Sequence, residues 1–142
     1  MDSAIKEKMK IYFAASIRGG RDYARYYKKI ISQLSIYGKV LTEHIADDKL
    51  DDHGEDISET DIFERDTGWL RESDIIVAEV TQPSIGVGYE IALGESLGKR
   101  IVCLFKQQSG SLSAMIKGNR NLEVLEYTSV DDIPVKIKQI FQ

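Results

Sequence analysis

Ile75-Ile76-Val77-Ala78-Glu79, followed by Val80-Thr81-Gln82-Pro83-Ser84-Ile85-Gly86-Val87-Gly88-Tyr89-Glu90, decides how this chain folds. The first four residues are wholly apolar and too few for a helix, the pattern of a strand covered on both faces of a parallel sheet. Pro83 has no N–H to give to a ladder and ends the strand, while Gly86 and Gly88 predict a tight turn in which a ligand can approach the main chain. A helix follows from Val87 to about Leu97, with Val87, Ile91, Gly94 and Leu97 on its packed face and Glu90 beside that face. An ordinary acid at a helix N-terminus gains about 0.3–1 kcal/mol from the macrodipole and points to water. Glu90 is expected instead on the inner side of a glycine-rich turn at the C-terminal end of a strand, where open α/β sheets bind ligands.

Upstream, Lys10 to Ala15 reads as a first strand, its β-branched and aromatic bulk supplied by Ile11, Tyr12 and Phe13. Ser16-Ile17-Arg18-Gly19-Gly20-Arg21 follows, with the composition of a phosphate loop. A hydroxyl, a guanidinium that can fork onto two oxygens and a freed backbone all precede a helix N-terminus. The stretch matches neither a Walker loop nor a GxGxxG fingerprint. Asp22 to Tyr37 predicts a helix ended by Gly38, with Tyr23, Tyr26, Tyr27, Ile30, Ile31 and Leu34 as a packing stripe. Lys39 to Thr42 predicts a short strand, and His44 to Asp56 a polar, acidic loop. His44 stands at the strand's C-terminal end, placed either to touch a ligand's base or to anchor the loop.

A helix from Ser58 to Ser73 carries Ile62, Phe63, Trp69 and Leu70 as one stripe, and Asp66 falls inside it. An unpaired charge on that side costs several kcal/mol, so Asp66 is either paired or lines a pocket. Arg65 and Arg71 leave the helix on other faces, which favours the pocket. Downstream come a strand at Ile101 to Phe105, a loop leading into a short helix near Ser113, a strand at Leu122 to Leu125 and a helix from Val130 to Phe141. The alternation predicts a single-domain, flavodoxin-like α/β fold: a five-stranded parallel sheet with helices on both faces, spanning 10–142 behind a tail at 1–9. In that strand order the first and third strands are neighbours. Tyr12, Ser16, Arg18, Asp66, Ser84 and Glu90 would then share one cleft.

With 142 residues, 42% of them hydrophobic, the chain suits one domain with one core. A net charge of −4 argues against a nucleic-acid polymer as partner, because such binding neutralises many phosphates with Lys and Arg. The lone cysteine, Cys103, excludes a disulfide framework and suits a reducing compartment, the cytoplasm or a eukaryotic nucleus. No run is long enough for a membrane span or a signal-peptide core, so no membrane is expected. His44 and His53 have poor metal spacing; neither metal nor cofactor is assigned.

At Tyr12-Phe13 with Ser16 to Gly20, Leu41-Thr42-Glu43-His44, Asp66 with Trp69-Leu70, Ala78 to Glu90 and Ser113-Ala114-Met115-Ile116, the sequence resembles the nucleoside 2-deoxyribosyltransferase superfamily, on the side of its nucleotide N-hydrolases. The resemblance implies hydrolysis of the N-glycosidic bond of (2′-deoxy)nucleoside 5′-monophosphates. Glu90 would be the nucleophile at the anomeric carbon, Tyr12 would hold it, and Asp66 would assist the leaving base, with a helix N-terminus giving Glu90 a modest pKa. Ser16, Arg18, Gly19, Ser84 and Gly86 would bind the 5′-phosphate and Ile17 the sugar or base. Ser113 would reach the phosphate from the neighbouring subunit of a homodimer. Ala15 stands where relatives often have glycine, and the C-terminus lacks the asparagine that transferases lend across their interface. That absence favours hydrolase over transferase; a non-catalytic nucleotide-binding module is the remaining alternative.

Overall fold

A computed structural model describes residues 9–17, 23–46, 55–107 and 110–142. Five strands, β1 (Lys10–Ala14), β2 (Lys39–Val40), β3 (Ile75–Glu79), β4 (Arg100–Lys106) and β5 (Glu123–Tyr127), form one sheet in the order β2-β1-β3-β4-β5. Every pairing is parallel, and Tyr12 lies opposite Ile76 in the register of β1 against β3. The helices are α1 (Ala24–Leu34), α2 (Glu59–Glu72), α3 (Ile85–Ser96), α4 (Ala114–Lys117) and α5 (Ile133–Ile140), with short 3-10 turns at Glu43–Ala46 and Val130–Asp132. The flavodoxin-like arrangement expected from the alternation is the one observed.

Strand alternation divides the interior in two. Ile11, Phe13, Val77, Val102 and Leu104 face α1 and α5, packing on Tyr27, Ile30, Leu34 and Ile137. Tyr12, Ala14, Ile76, Ala78, Ile101 and Cys103 face the other way, onto Leu70 of α2 and Val87 and Ile91 of α3. Each buried Val, Leu or Ile among them contributes about 1.5–3 kcal/mol of transfer free energy. The same alternation turns Tyr12 toward α3. At Gly94 the helix approaches the sheet so closely that a Cβ would stand 2.1 Å from Ile76 Cδ1.

Several boundaries differ from the sequence reading. The first strand ends at Ala14, and the second stops at Val40 because Thr42 leaves the ladder: its Oγ1 accepts from Phe13 N at 2.9 Å and donates to Phe13 O at 2.7 Å. Helix α3 begins at Ile85, capped by Ser84, whose Oγ accepts from Val87 N. Gly86 and Gly88 therefore lie inside the helix, and neither has the positive φ of a glycine turn. What they supply is bare surface: a Cβ on Gly88 would meet nothing within 4 Å. Leu97, expected inward, is 41% exposed because α3 ends at Ser96. Among the described residues no helix is long and apolar enough to cross a membrane.

Candidate active site

The site is built where β1, α2 and α3 meet. Tyr12 is 1% exposed, and its hydroxyl donates to Glu90 Oε2 across the gap between β1 and α3. Burial pushes the Glu90 carboxyl up to about 7; the Tyr12 hydrogen bond opposes that rise, and the nearby Asp66 charge adds to it. Burial, reinforced by Glu90 and Asp66, also drives the Tyr12 phenol far above its ordinary range, so it serves as a donor and stays protonated. The helix-terminus explanation for a modest Glu90 pKa does not hold. Glu90 lies five positions after Ile85, beyond the first turn where the macrodipole acts, and desolvation dominates.

Asp66 on α2 faces the same cleft and, contrary to the sequence reading, is also paired: Arg65 Nε donates to its Oδ1 at 2.9 Å. The neighbouring guanidinium folds back along the helix, which face-counting by Cβ direction does not anticipate. Burial raises the Asp66 carboxyl, and Arg65 opposes the rise. Arg65 also forks onto Glu55, with Nη1 and Nη2 at 2.7 and 2.5 Å from its two oxygens.

Around these groups lies a cleft of about 500 Å³, in the range of small-molecule sites. Its walls are Ala15 and Ile17 after β1, Ile62, Phe63 and Thr67 from α2, and Ser84, Gly86 and Tyr89 from the start of α3. Phe63, read from sequence as part of the apolar stripe of this helix, stands at the cleft instead, and Tyr89 had no assigned role in the sequence reading. Both are about half exposed, 49% and 55%, and they meet edge to face with ring centroids 6.3 Å apart. Two large apolar groups left half bare at a cleft mouth are positioned to cover a planar ligand.

The other expected residues divide. Ser16 is fully buried between Ala15 and Ile17, off the cleft wall itself, and its Oγ has no hydrogen-bond partner among the described residues. A buried orphan hydroxyl costs about 1–3 kcal/mol unless something satisfies it, which is the signature of a polar ligand site. Arg18 and Gly19 lie outside the described residues. His44 is not in the cleft wall. It packs on Trp69 with centroids 5.7 Å apart and lies 3.4 Å from both Arg65 Nη2 and Glu55 Oε2, the anchoring arrangement. Ser113 caps the short helix α4, accepting from Met115 N at 3.2 Å. It lines a second cavity, of about 560 Å³, along the other flank of α3 with Gly88, Ala92 and Glu95. Within one subunit it does not reach the Glu90 cleft. Ser84 lines both cavities.

A carboxylate with its phenolic donor and a second acid held by a guanidinium, at one cleft, suit substitution at a carbon bearing a leaving group that must be protonated. The chain is 57% identical over 111 residues to the 5-hydroxymethyl-dUMP N-hydrolase of Mus musculus, an alignment that covers 76% of this chain and 64% of that protein's length. It is 50% identical over 116 residues to the protein of the same name from Tetraodon nigroviridis, covering 80% and 82% respectively. A solved CMP N-glycosidase of Clostridium botulinum superposes with a TM-score of 0.64 over 94% of this chain and 99% of that one; at 14% identity the likeness speaks for the fold alone. The family model described as nucleoside 2-deoxyribosyltransferase matches residues 11–124, a span that runs from β1 through Asp66 and Glu90 into β5, and the chain belongs to that family.

Proposed function

We propose that the chain hydrolyses the N-glycosidic bond of 2′-deoxynucleoside 5′-monophosphates, releasing the free base and deoxyribose 5-phosphate. The observation that carries this reading is the Tyr12–Glu90 hydrogen bond beside Asp66 in a cleft of nucleotide size. Ionised Glu90 attacks the anomeric carbon as the carbon–nitrogen bond breaks, giving a glycosyl ester, and protonated Asp66 gives its proton to the departing base. Asp66, now a carboxylate, takes a proton from the water that opens the ester and frees Glu90. Both steps pass through an oxocarbenium-like transition state that a carboxylate stabilises, as in retaining glycosidases.

Ser16, Arg18, Gly19, Ser84 and Gly86 hold the 5′-phosphate in this reading, Ile17 contacts the sugar or base, and the neighbouring subunit's Ser113 completes the phosphate site of a homodimer. The orphan Ser16 hydroxyl supports the phosphate assignment. Burial lifts the Cys103 thiol to about 12, so it stays reduced and inert, compatible with a cytoplasmic enzyme. The names of the vertebrate relatives make 5-hydroxymethyl-dUMP the first substrate to try.

The test is incubation with a panel of deoxyribo- and ribonucleoside 5′-monophosphates, including 5-hydroxymethyl-dUMP and CMP, with free base followed by chromatography. Base release from monophosphates but not from nucleosides is the expected result; no release from any member overturns the reading. Because the matching family model is described as a transferase, the same assay is run with a second base added. A new nucleoside in place of free sugar phosphate would assign transfer.

A further inference from the structure

Arg65 makes more polar contacts than the proposed reaction asks of it. Its Nε donates to Asp66 at 2.9 Å, its two terminal nitrogens fork onto Glu55, and its guanidinium carbon lies 4.9 Å from the centre of the Trp69 ring. A guanidinium so held on three sides has one position available, and it is the planar fork that allows two carboxylates to be served at once. Among the described residues, the charged and titratable groups near Asp66 are Arg65 and, farther along the cleft wall, Glu59 on its own helix, Glu55 and His44 from the segments before α2, and Glu90 and Tyr12 across the cleft.

We propose that Arg65 is a positioning residue divided between two carboxylates: it fixes Asp66 in the cleft, and Glu55, by occupying the outer edge of the guanidinium, keeps Asp66 able to carry the proton that the leaving base needs. Without Glu55 the cation would belong to Asp66 alone and hold it ionised. Without Arg65 the Asp66 carboxyl would lose its hydrogen bond from the guanidinium and would sit near a Glu55 left with His44 alone among the described residues. The directions of the shifts agree: Arg65 lowers Asp66 against the effect of burial, and Glu55 raises it. Glu55 is itself held low, first by its hydrogen bonds to Arg65.

This inference rests on Asp66 being the acid of the proposed reaction, and its test is read at Asp66 directly. The carboxyl carbon of Asp66 is titrated by NMR in the wild type and in Glu55→Gln, Arg65→Gln and Arg65→Lys, alongside pH–rate profiles of base release. Glu55→Gln should move the Asp66 midpoint and the alkaline limb down by at least about half a pH unit, roughly threefold in proton affinity. Arg65→Gln should move both up. Arg65→Lys should keep the midpoint near the wild type while kcat falls about tenfold with little change in KM, because an ammonium cannot fork. A merely structural residue would alter stability and leave the midpoints in place.

Midpoints that stay fixed in Glu55→Gln, or that move the same way in Glu55→Gln and Arg65→Gln, overturn the proposal. Should Arg65→Gln not fold, Glu55→Gln and Arg65→Lys decide it between them. A wild type that releases no base would instead defeat the functional reading, and the Asp66 titration would still stand as a measurement of the clamp.

Discussion

Tyr12 and Glu90 stand 78 positions apart, one on β1 and the other on α3, and the phenol of the first donates to the carboxylate of the second. Glu90 is thereby aimed while burial keeps its affinity for a proton high. A nucleophile with a pKa of about 7 is stronger than an ordinary carboxylate but is ionised only at neutral pH and above.

Glu90→Gln retains the shape and loses the charge, so base release should fall by several orders of magnitude while the fold persists. Stability supplies a second readout. The folded-state pKa, about 7, lies above the usual 4.5, so between these values the folded chain binds more protons than the unfolded one, and stability falls as pH rises. Glu90→Gln removes that loss. It should be more stable than the wild type at pH 8, by up to about 3 kcal/mol, and equal to it near pH 4. Urea unfolding at the two pH values measures the difference, and no gain at pH 8 would mean that Glu90 is not desolvated as described.

Tyr12→Phe removes the hydrogen bond that, among the described residues, holds the Glu90 carboxyl down. The acid limb of the pH–rate profile should move to higher pH. A bond to a charged group is worth about 1.5–3 kcal/mol, which corresponds to roughly a 10- to 150-fold loss in kcat. An unshifted acid limb would separate Tyr12 from the ionisation of Glu90.

Ser16→Ala deletes a fully buried hydroxyl that lacks a partner among the described residues. Its removal should leave the melting temperature unchanged or slightly higher, since an unsatisfied polar group is lost. The KM for a monophosphate should rise about 10-fold or more, since one hydrogen bond to a charged oxygen is worth about 1.5–3 kcal/mol, with little change for a free nucleoside. Arg18→Ala should act in the same direction and more strongly. Equal effects on nucleoside and monophosphate would take Ser16 and Arg18 out of the phosphate site.

Gly94→Ala tests the packing that seats α3 on the sheet. The new methyl would fall 2.1 Å from Ile76 Cδ1, inside a core where Ile76 is fully buried. A loss of about 1–3 kcal/mol is expected, and Ile76→Val, which deletes the opposing carbon, should recover part of it in the double variant. Additive losses in the two variants would show that the sites do not touch.

How much of this was legible in sequence follows from which physical signals are local. The apolar runs of β1 and β3 mark strands covered on both faces, so the sheet could be read, but a run apolar throughout does not say which face Tyr12 occupies. Helical spacing likewise placed Asp66 and Glu90 on inward faces. The Glu90 pKa was not legible, because desolvation depends on everything packed around the carboxylate. Nor was the pairing of Arg65 with Asp66 and Glu55: a long side chain chooses its partner by reach, and spacing gives only the direction of its Cβ. The glycines at 86 and 88 misled for a related reason, since composition marks missing side chains without saying whether they serve a turn or a bare helix surface.

Ser113 carries the last prediction. It lines the cavity on the other flank of α3 and is not on the wall of the Glu90 cleft, which suits a role at a neighbouring subunit's site. Ile85 and Met115 line the same cavity and are 95% and 81% exposed, apolar surface that a second copy would cover. A two-fold dimer uses one patch twice, so each Ser113 would complete its partner's site. Subunits carrying Glu90→Gln and subunits carrying Ser113→Ala should both be impaired, and mixing them should generate dimers with one site that is intact in both residues. Activity should then exceed the sum of the parents once subunits have exchanged, toward about a quarter of the wild type for random pairing of equal amounts, because half the dimers are mixed and each has one good site of two. A fully active monomer by sedimentation, or no recovery after proven exchange, would remove Ser113 from the site.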